Sequence, residues 1–180
     1  MNKILKLTFI LFLVCAITAG ILGVINELTK DRIEAINIEN TNKAYRAVLA
    51  ADGFTDMNYS SPDHPNVDKI SKADNGAGYV VESTFSGAQG MITMACGVDN
   101  DFKCTGISII KHSETSGLGA NAASTADVGV NWRAQFVGVE GDVALSKAGG
   151  TIDALAGATI TSRTVTATVA DSIAAVKEVA

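Results

Sequence analysis

The residues best suited to chemistry lie in Asp153-Ala-Leu-Ala-Gly-Ala-Thr-Ile-Thr-Ser162. Gly157 and Ala158 carry almost no side chain, so a ligand or a second protein can approach the backbone there. Thr159, Thr161 and Ser162 follow with hydroxyls at the start of an apolar periodic run. A helix beginning there leaves four amide donors without partners and places the positive end of its dipole at the same point. Such a site holds a phosphate. Taken alone, the same residues also describe an ordinary helix cap. A second polar stretch, Lys111-His-Ser-Glu-Thr-Ser-Gly-Leu-Gly119, closes on two glycines. The sequence has no Cys-x-x-Cys pair and no Gly-x-Gly-x-x-Gly after a strand, and His112 with Glu114 is too small a set to specify a metal site. Zinc, iron–sulfur and dinucleotide-fold chemistry therefore lose their usual sequence support.

The elements that must position these residues follow from periodicity. Val165, Val169, Ile173 and Val176 form one stripe of a terminal helix. Tyr79–Phe85, Gly90–Val98 and Cys104–Ile110 read as three strands of an antiparallel meander. A three-residue turn at 99–101 would set Cys96 opposite Cys104, leaving either a disulfide or two half-buried thiols. Residues 52–78 hold both prolines and many polar residues, which predicts a surface excursion with one short strand and an exposed His64. Residues 120–129 read as irregular, and Val143–Ser146 as a short strand. Trp132 and Phe136 are expected in the core rather than as walls of a cofactor site.

Residues 7–25 contain no charged side chain, and roughly 19 residues at about 1.5 Å each nearly cross a hydrocarbon layer. The run is longer than a signal-peptide core and no small-residue cleavage site follows it, which predicts a retained single-pass anchor in the lipid bilayer. Cys15 reads as an apolar membrane residue rather than a lipidation site. Lys3, Lys6 and the α-amine face Lys30 and Arg32 across the run, a near balance that favours an inside N-terminus and an extracytoplasmic soluble domain. Helical spacing continues from Ile33 to Val48. The 180 residues thus divide into an anchor over 1–28 and one domain over 29–180. With 14 Lys and Arg against 19 Asp and Glu, a net charge of -5 and no basic cluster, nucleic acid is excluded as a partner.

Two of these stretches resemble one family. Asp153-Ala-Leu-Ala-Gly-Ala-Thr159 is similar to the flavinylation motif Asp-x-x-(Ser/Thr)-Gly-Ala-Thr of the FMN-binding domain in the G subunit of the Rnf complex and in the C subunit of the sodium-pumping NADH:quinone oxidoreductase. His112-Ser-Glu-Thr-Ser-Gly-Leu-Gly119 resembles the family's His-x-Glu-Thr-Pro-Gly-Leu-Gly loop. The short length favours the Rnf protein. The resemblance implies an α+β fold: one N-terminal transmembrane helix, then an FMN-binding domain with a mostly antiparallel sheet and flanking helices. It implies FMN joined through its phosphate to Thr159, a flavin transferase for maturation, the other membrane subunits of the complex as partners, and a place in the cytoplasmic membrane. The chain is then an electron-carrier subunit of a ferredoxin:NAD oxidoreductase coupled to ion translocation, rather than a stand-alone enzyme. Gly157, Ala158, Asp153, Thr161 and Ser162, with His112, Glu114, Thr115, Gly117, Leu118 and Gly119, are the implied cofactor contacts. Ala156 stands where the motif has Ser or Thr, and Ser116 where the loop has Pro; with Thr159 intact, modification is expected to survive both. The residues alone leave open a non-catalytic anchored module without covalent cofactor.

Overall fold

A computed structural model describes residues 3–59 and 61–180. Helix α1 spans Lys3–Val48. No proline interrupts it, and Gly20 and Gly23 are too weak as breakers to stop a run this apolar. Residues up to Asn40 form one compact unit and Thr41–Ala180 the other. In the first unit Leu7, Phe9, Leu11, Phe12, Leu22 and Ile25 are all exposed, and no residue of the most apolar window is buried. This is the signature of a helix long and apolar enough to cross a membrane. The α-amine that entered the flank count lies outside the described residues.

The second unit is built on a five-stranded antiparallel sheet in the order β1 (Phe54–Met57), β2 (Val67–Ala73), β3 (Gly78–Ser86), β4 (Met91–Asp99) and β5 (Cys104–His112). A 3₁₀ turn over Gly119–Ala123 and helix α2 (Asp127–Ala134) follow, then helix α3 (Thr159–Val179). The stripe Val165, Val169, Ile173 and Val176 lies on one sheet face with Val81, Phe85, Ile92, Met94 and Val98. The end of α1, through Ala44, Tyr45, Val48 and Leu49, covers Ala73, Val80 and Ala95 on the other. Side chains alternating across the pleat explain how Val80 and Val81 enter different cores.

Five expectations change. Residues 52–78 contain two strands, not one, because a bulge between Val67 and Lys69 shifts the phase of β2 and hides its alternation. His64 is not exposed: its ring nitrogens meet Asp171 and, at 3.3 Å, Glu178 on α3, and only 11% of its side chain is accessible. Burial lowers its affinity for a proton, but the two carboxylates outweigh this and hold its pKa above the usual value. The second hairpin has a longer loop in which Phe102 takes φ +60° and Asp99 accepts the amides of Asp101 and Lys103. Cys96 therefore pairs with Ile107 and Cys104 with Val98, and both cysteines are free thiols with sulfurs 3.8 Å apart. Residues 120–129 include the start of α2, whose 8 residues are too few for a periodic signal, and Val143–Ser146 contributes only a bridge from Leu145 to Ile152.

Candidate functional site

The site forms where α3 begins. Helix α2 fixes the approach: the Trp132 indole donates to the Asp153 carbonyl at 2.9 Å, and the Asp153 amide donates to the Gln135 side-chain oxygen at 2.8 Å. Trp132 and Phe136 stack edge to face with centroids 5.2 Å apart and are buried, so both belong to the core as expected. The Asp153 side chain is exposed. The chain then turns sharply. The Leu155 amide donates to the Ser162 hydroxyl oxygen at 2.9 Å, and that hydroxyl donates to the Ala158 carbonyl at 2.9 Å. Gly157 has φ +70°, and a Cβ there would come within 2.8 Å of a Leu118 methyl. Backbone conformation and close approach each demand glycine.

Leu118 belongs to the other sequence stretch, so the two meet. Their main tie is Glu114, which is 9% exposed. One carboxylate oxygen accepts the amides of Ala88 (2.9 Å) and Gln89 (3.1 Å) in the β3–β4 turn; the other accepts the Thr161 hydroxyl at 2.6 Å. A Cβ on Gly119 would strike that carboxylate and lie 2.7 Å from the Thr161 hydroxyl. Burial pushes the Glu114 carboxyl up, but the bonds from Thr161, Gln89 and Ala88, with His112 nearby, hold it below the usual range. The His112 Nδ1 accepts the Glu114 amide at 3.2 Å. Thr115, Ser116, Gly117 and Leu118 are exposed. Gly117 takes φ +78°. The Thr115 carbonyl accepts the amides of Leu118 and Ala120, and Asn121 caps the Gly117 carbonyl. Order in the loop thus comes from hydrogen bonds, although Ser116 replaces the family's proline.

Thr161 and Ser162 turn inward and spend their hydroxyls on the turn. Thr159, the first residue of α3, remains exposed. It lies at the edge of a cleft of about 290 Å³ formed with Arg163, Thr166 and Ala167 of α3 and residues 143–148. Lys147 and Arg163 line the same cleft as the threonine, and sequence reasoning missed both. Arg163 was recoverable, since four residues along a helix returns to the same face; Lys147 sits in a segment without periodic signal. Among the described residues no cluster of three His, Cys, Asp or Glu could hold a metal.

An antiparallel meander has one long helix across a face and a Gly-Ala-Thr helix start clamped to a His/Glu loop, and comparison with known families places this arrangement among flavin-binding domains. The FMN-binding domain family model matches residues 87–174, and that of the RnfG N-terminal region matches residues 1–48. The G subunit of the ion-translocating oxidoreductase complex of Methanosarcina acetivorans is 34% identical over 91% of this chain and 89% of its own length. The G subunit of the Na(+)-translocating ferredoxin:NAD(+) oxidoreductase complex of Acetobacterium woodii is 33% identical over 94% and 90%. The proton-translocating counterpart in Clostridium ljungdahlii is 29% identical over 96% and 91%. The chain belongs to the family of G subunits of ion-translocating, Rnf-type oxidoreductase complexes.

Proposed function

We propose that this chain is the membrane-anchored electron-carrier subunit of a ferredoxin:NAD oxidoreductase complex, with FMN tethered by a phosphoester to the Thr159 hydroxyl. The observation that carries the reading is the exposed Thr159 at the first position of α3, beside a Gly157 turn that the 112–119 loop pins in place. The residues fit the group. The unpaired amides of the first turn and the cations Lys147 and Arg163 balance the remaining phosphate charge. Exposed Gly157 leaves room for a transferase, Ala158 beside it is buried in the core, and Glu114, Thr161 and Ser162 hold the turn so that the hydroxyl points outward. His112, Thr115, Gly117 and Leu118 form the rim on the loop side, and exposed Asp153 is available to the transferase.

Attachment requires an activated donor, which a flavin dinucleotide supplies. The Thr159 oxygen forms a bond to the flavin-side phosphorus as the phosphoanhydride bond breaks; the nucleoside monophosphate leaves with the electron pair and the hydroxyl proton passes to solvent or base. When bound, the flavin accepts and returns electrons one or two at a time. Residues 7–25 anchor the chain beside the other membrane subunits, with the domain on the extracytoplasmic side. Electron flow through it is coupled to translocation of an ion; one relative is named for sodium and another for protons.

Co-expression with a flavin transferase is expected to give a fluorescent band that survives denaturing electrophoresis, with a matching gain in intact mass. Thr159→Ala should remove both; a fluorescent band persisting in that variant refutes the assignment.

A further inference from the structure

We propose that residues 61–66 are a proton-operated strap: with the His64 ring positively charged the segment is latched to α3 and closes one side of a cleft, and loss of the proton releases it and opens the cleft. The proposal is independent of any tether at Thr159. One ring nitrogen of His64 faces each of two carboxylates, Nδ1 on Asp171 and Nε2 at 3.3 Å from Glu178. An ionised carboxylate only accepts, and a neutral imidazole carries a single N–H. Only the imidazolium can therefore donate to both acids. Once the proton leaves, a ring lone pair confronts one carboxylate and that half of the latch becomes repulsive. The two acids lie about two turns apart on α3, so they share a face and hold the ring between them.

The rest of the segment is built to move about one end. The Asn66 carbonyl accepts the Thr84 amide of β3 at 2.9 Å, which fixes that end to the sheet. Ahead of it the bonds are local: the Val67 amide donates to the His64 carbonyl at 3.1 Å, and the Asp63 amide to the Ser61 hydroxyl oxygen at 3.3 Å. Pro62 and Pro65 have no amide to give. The cleft beneath measures about 550 Å³, with Pro65 and Asn66 of the segment on one side, Phe85 of β3 below, and Thr164, Thr168 and Asp171 of α3 opposite. Asp171 is thus both latch and wall. Around the ring, α3 supplies Asp171 and Glu178, and the Tyr59 hydroxyl donates to Glu178 at 3.5 Å. The adjoining end of β3 presents Thr84, Phe85 and Ser86, which carry no charge, and the flanking Asp63 and Asp68 are exposed. The two acids on α3 outweigh burial and hold the His64 pKa above its ordinary value. The latch is therefore complete below about 6.5 and is lost as pH rises through the higher folded value. The domain gains a sensor of pH on its own side of the membrane.

The test uses the full-length chain in detergent. Amide hydrogen exchange, corrected for the intrinsic rate, is followed from about pH 5 to about pH 9, a range that spans histidine titration. The Asp63 and Val67 amides report on the strap. Their opening should increase by up to about tenfold per pH unit between ~6.5 and the folded pKa and then level off, while the β3 and β4 amides stay protected. Hydroxyl-radical footprinting reads the cleft. Labelling of Phe85, which is 3% exposed, should rise severalfold over the same range, with the buried Phe136 unchanged. His64→Gln should remove the pH dependence from both readouts, and Asp171→Asn should move it to lower pH. Four results would each overturn the strap: pH-independent exchange at Asp63 and Val67 in the wild type, a dependence that survives in His64→Gln, opening without any change at Phe85, or loss of β3 and β4 protection together with the segment.

Discussion

Glu114→Ala isolates the tie between the two halves of the site. The substitution removes three hydrogen bonds at once, from Thr161 and from the amides of Ala88 and Gln89. Their costs differ because their surroundings differ. Ala88 and Gln89 are exposed, so water replaces the lost acceptor at little cost; Thr161 is 1% exposed and its hydroxyl is left without a partner. A stranded buried polar group costs about 1–3 kcal/mol, and bonds to a charged acceptor contribute about 1.5–3 kcal/mol. A total of about 2–3 kcal/mol is expected, or a fall in Tm of about 4–12 °C at ~2–4 °C per kcal/mol. Thermal unfolding of wild type, Glu114→Ala, Thr161→Val and the double variant closes a cycle whose coupling should be about 1–2 kcal/mol. Coupling below about 0.5 kcal/mol, the usual limit of additivity, would refute the clamp. The pH dependence has a defined sign. The folded carboxyl lies below its ordinary value, so its contribution is complete above the unfolded pKa of about 4.3 and is lost as pH falls through the lower folded value. Glu114→Gln should flatten that acid limb.

Three other outcomes are expected. His64 titrates above its ordinary value of about 6.5, so its stabilising effect is complete below that value and lost as pH rises through the folded pKa; Asp171→Asn should lower the pKa measured by NMR, and an unchanged pKa would exclude the pairing. Gly157→Ala forces a side chain to φ +70° against Leu118, costing about 1–2 kcal/mol, and should reduce flavinylation; full occupancy with unchanged Tm would contradict the turn geometry. Hydrogen bonding to Cys104, together with burial, pushes the Cys96 thiol up. The folded protein should therefore alkylate slowly there, both core cysteines should react once unfolded, and prior reduction should leave the mass unchanged.

Elements with a strong local period were legible in the chain. The stripe Val165–Val176, the strands at 79–86 and 91–99 and the apolar run at 7–25 each repeat at a spacing that only one backbone geometry can bury or present to lipid. The glycine turn and Thr159 were legible too, because a position with positive φ beside a helix start restricts residue type locally. What stayed hidden depends on contacts distant in the chain. The phase shift in β2 is set by its partner β3, and His64 is drawn to α3 by carboxylates more than a hundred residues away. Cys96 and Cys104 are offset because the conformation of Phe102 lengthens the turn between them. Nothing in the local sequence marked Glu114 as the buried acceptor that joins the loop to α3. Lys147 lines one cleft with Thr159 only because residues 143–148 pack beside that helix. Local spacing determined which elements form and which threonine opens the last helix; tertiary packing alone decided what surrounds its oxygen, since charge and burial at a point are summed over every segment that passes it.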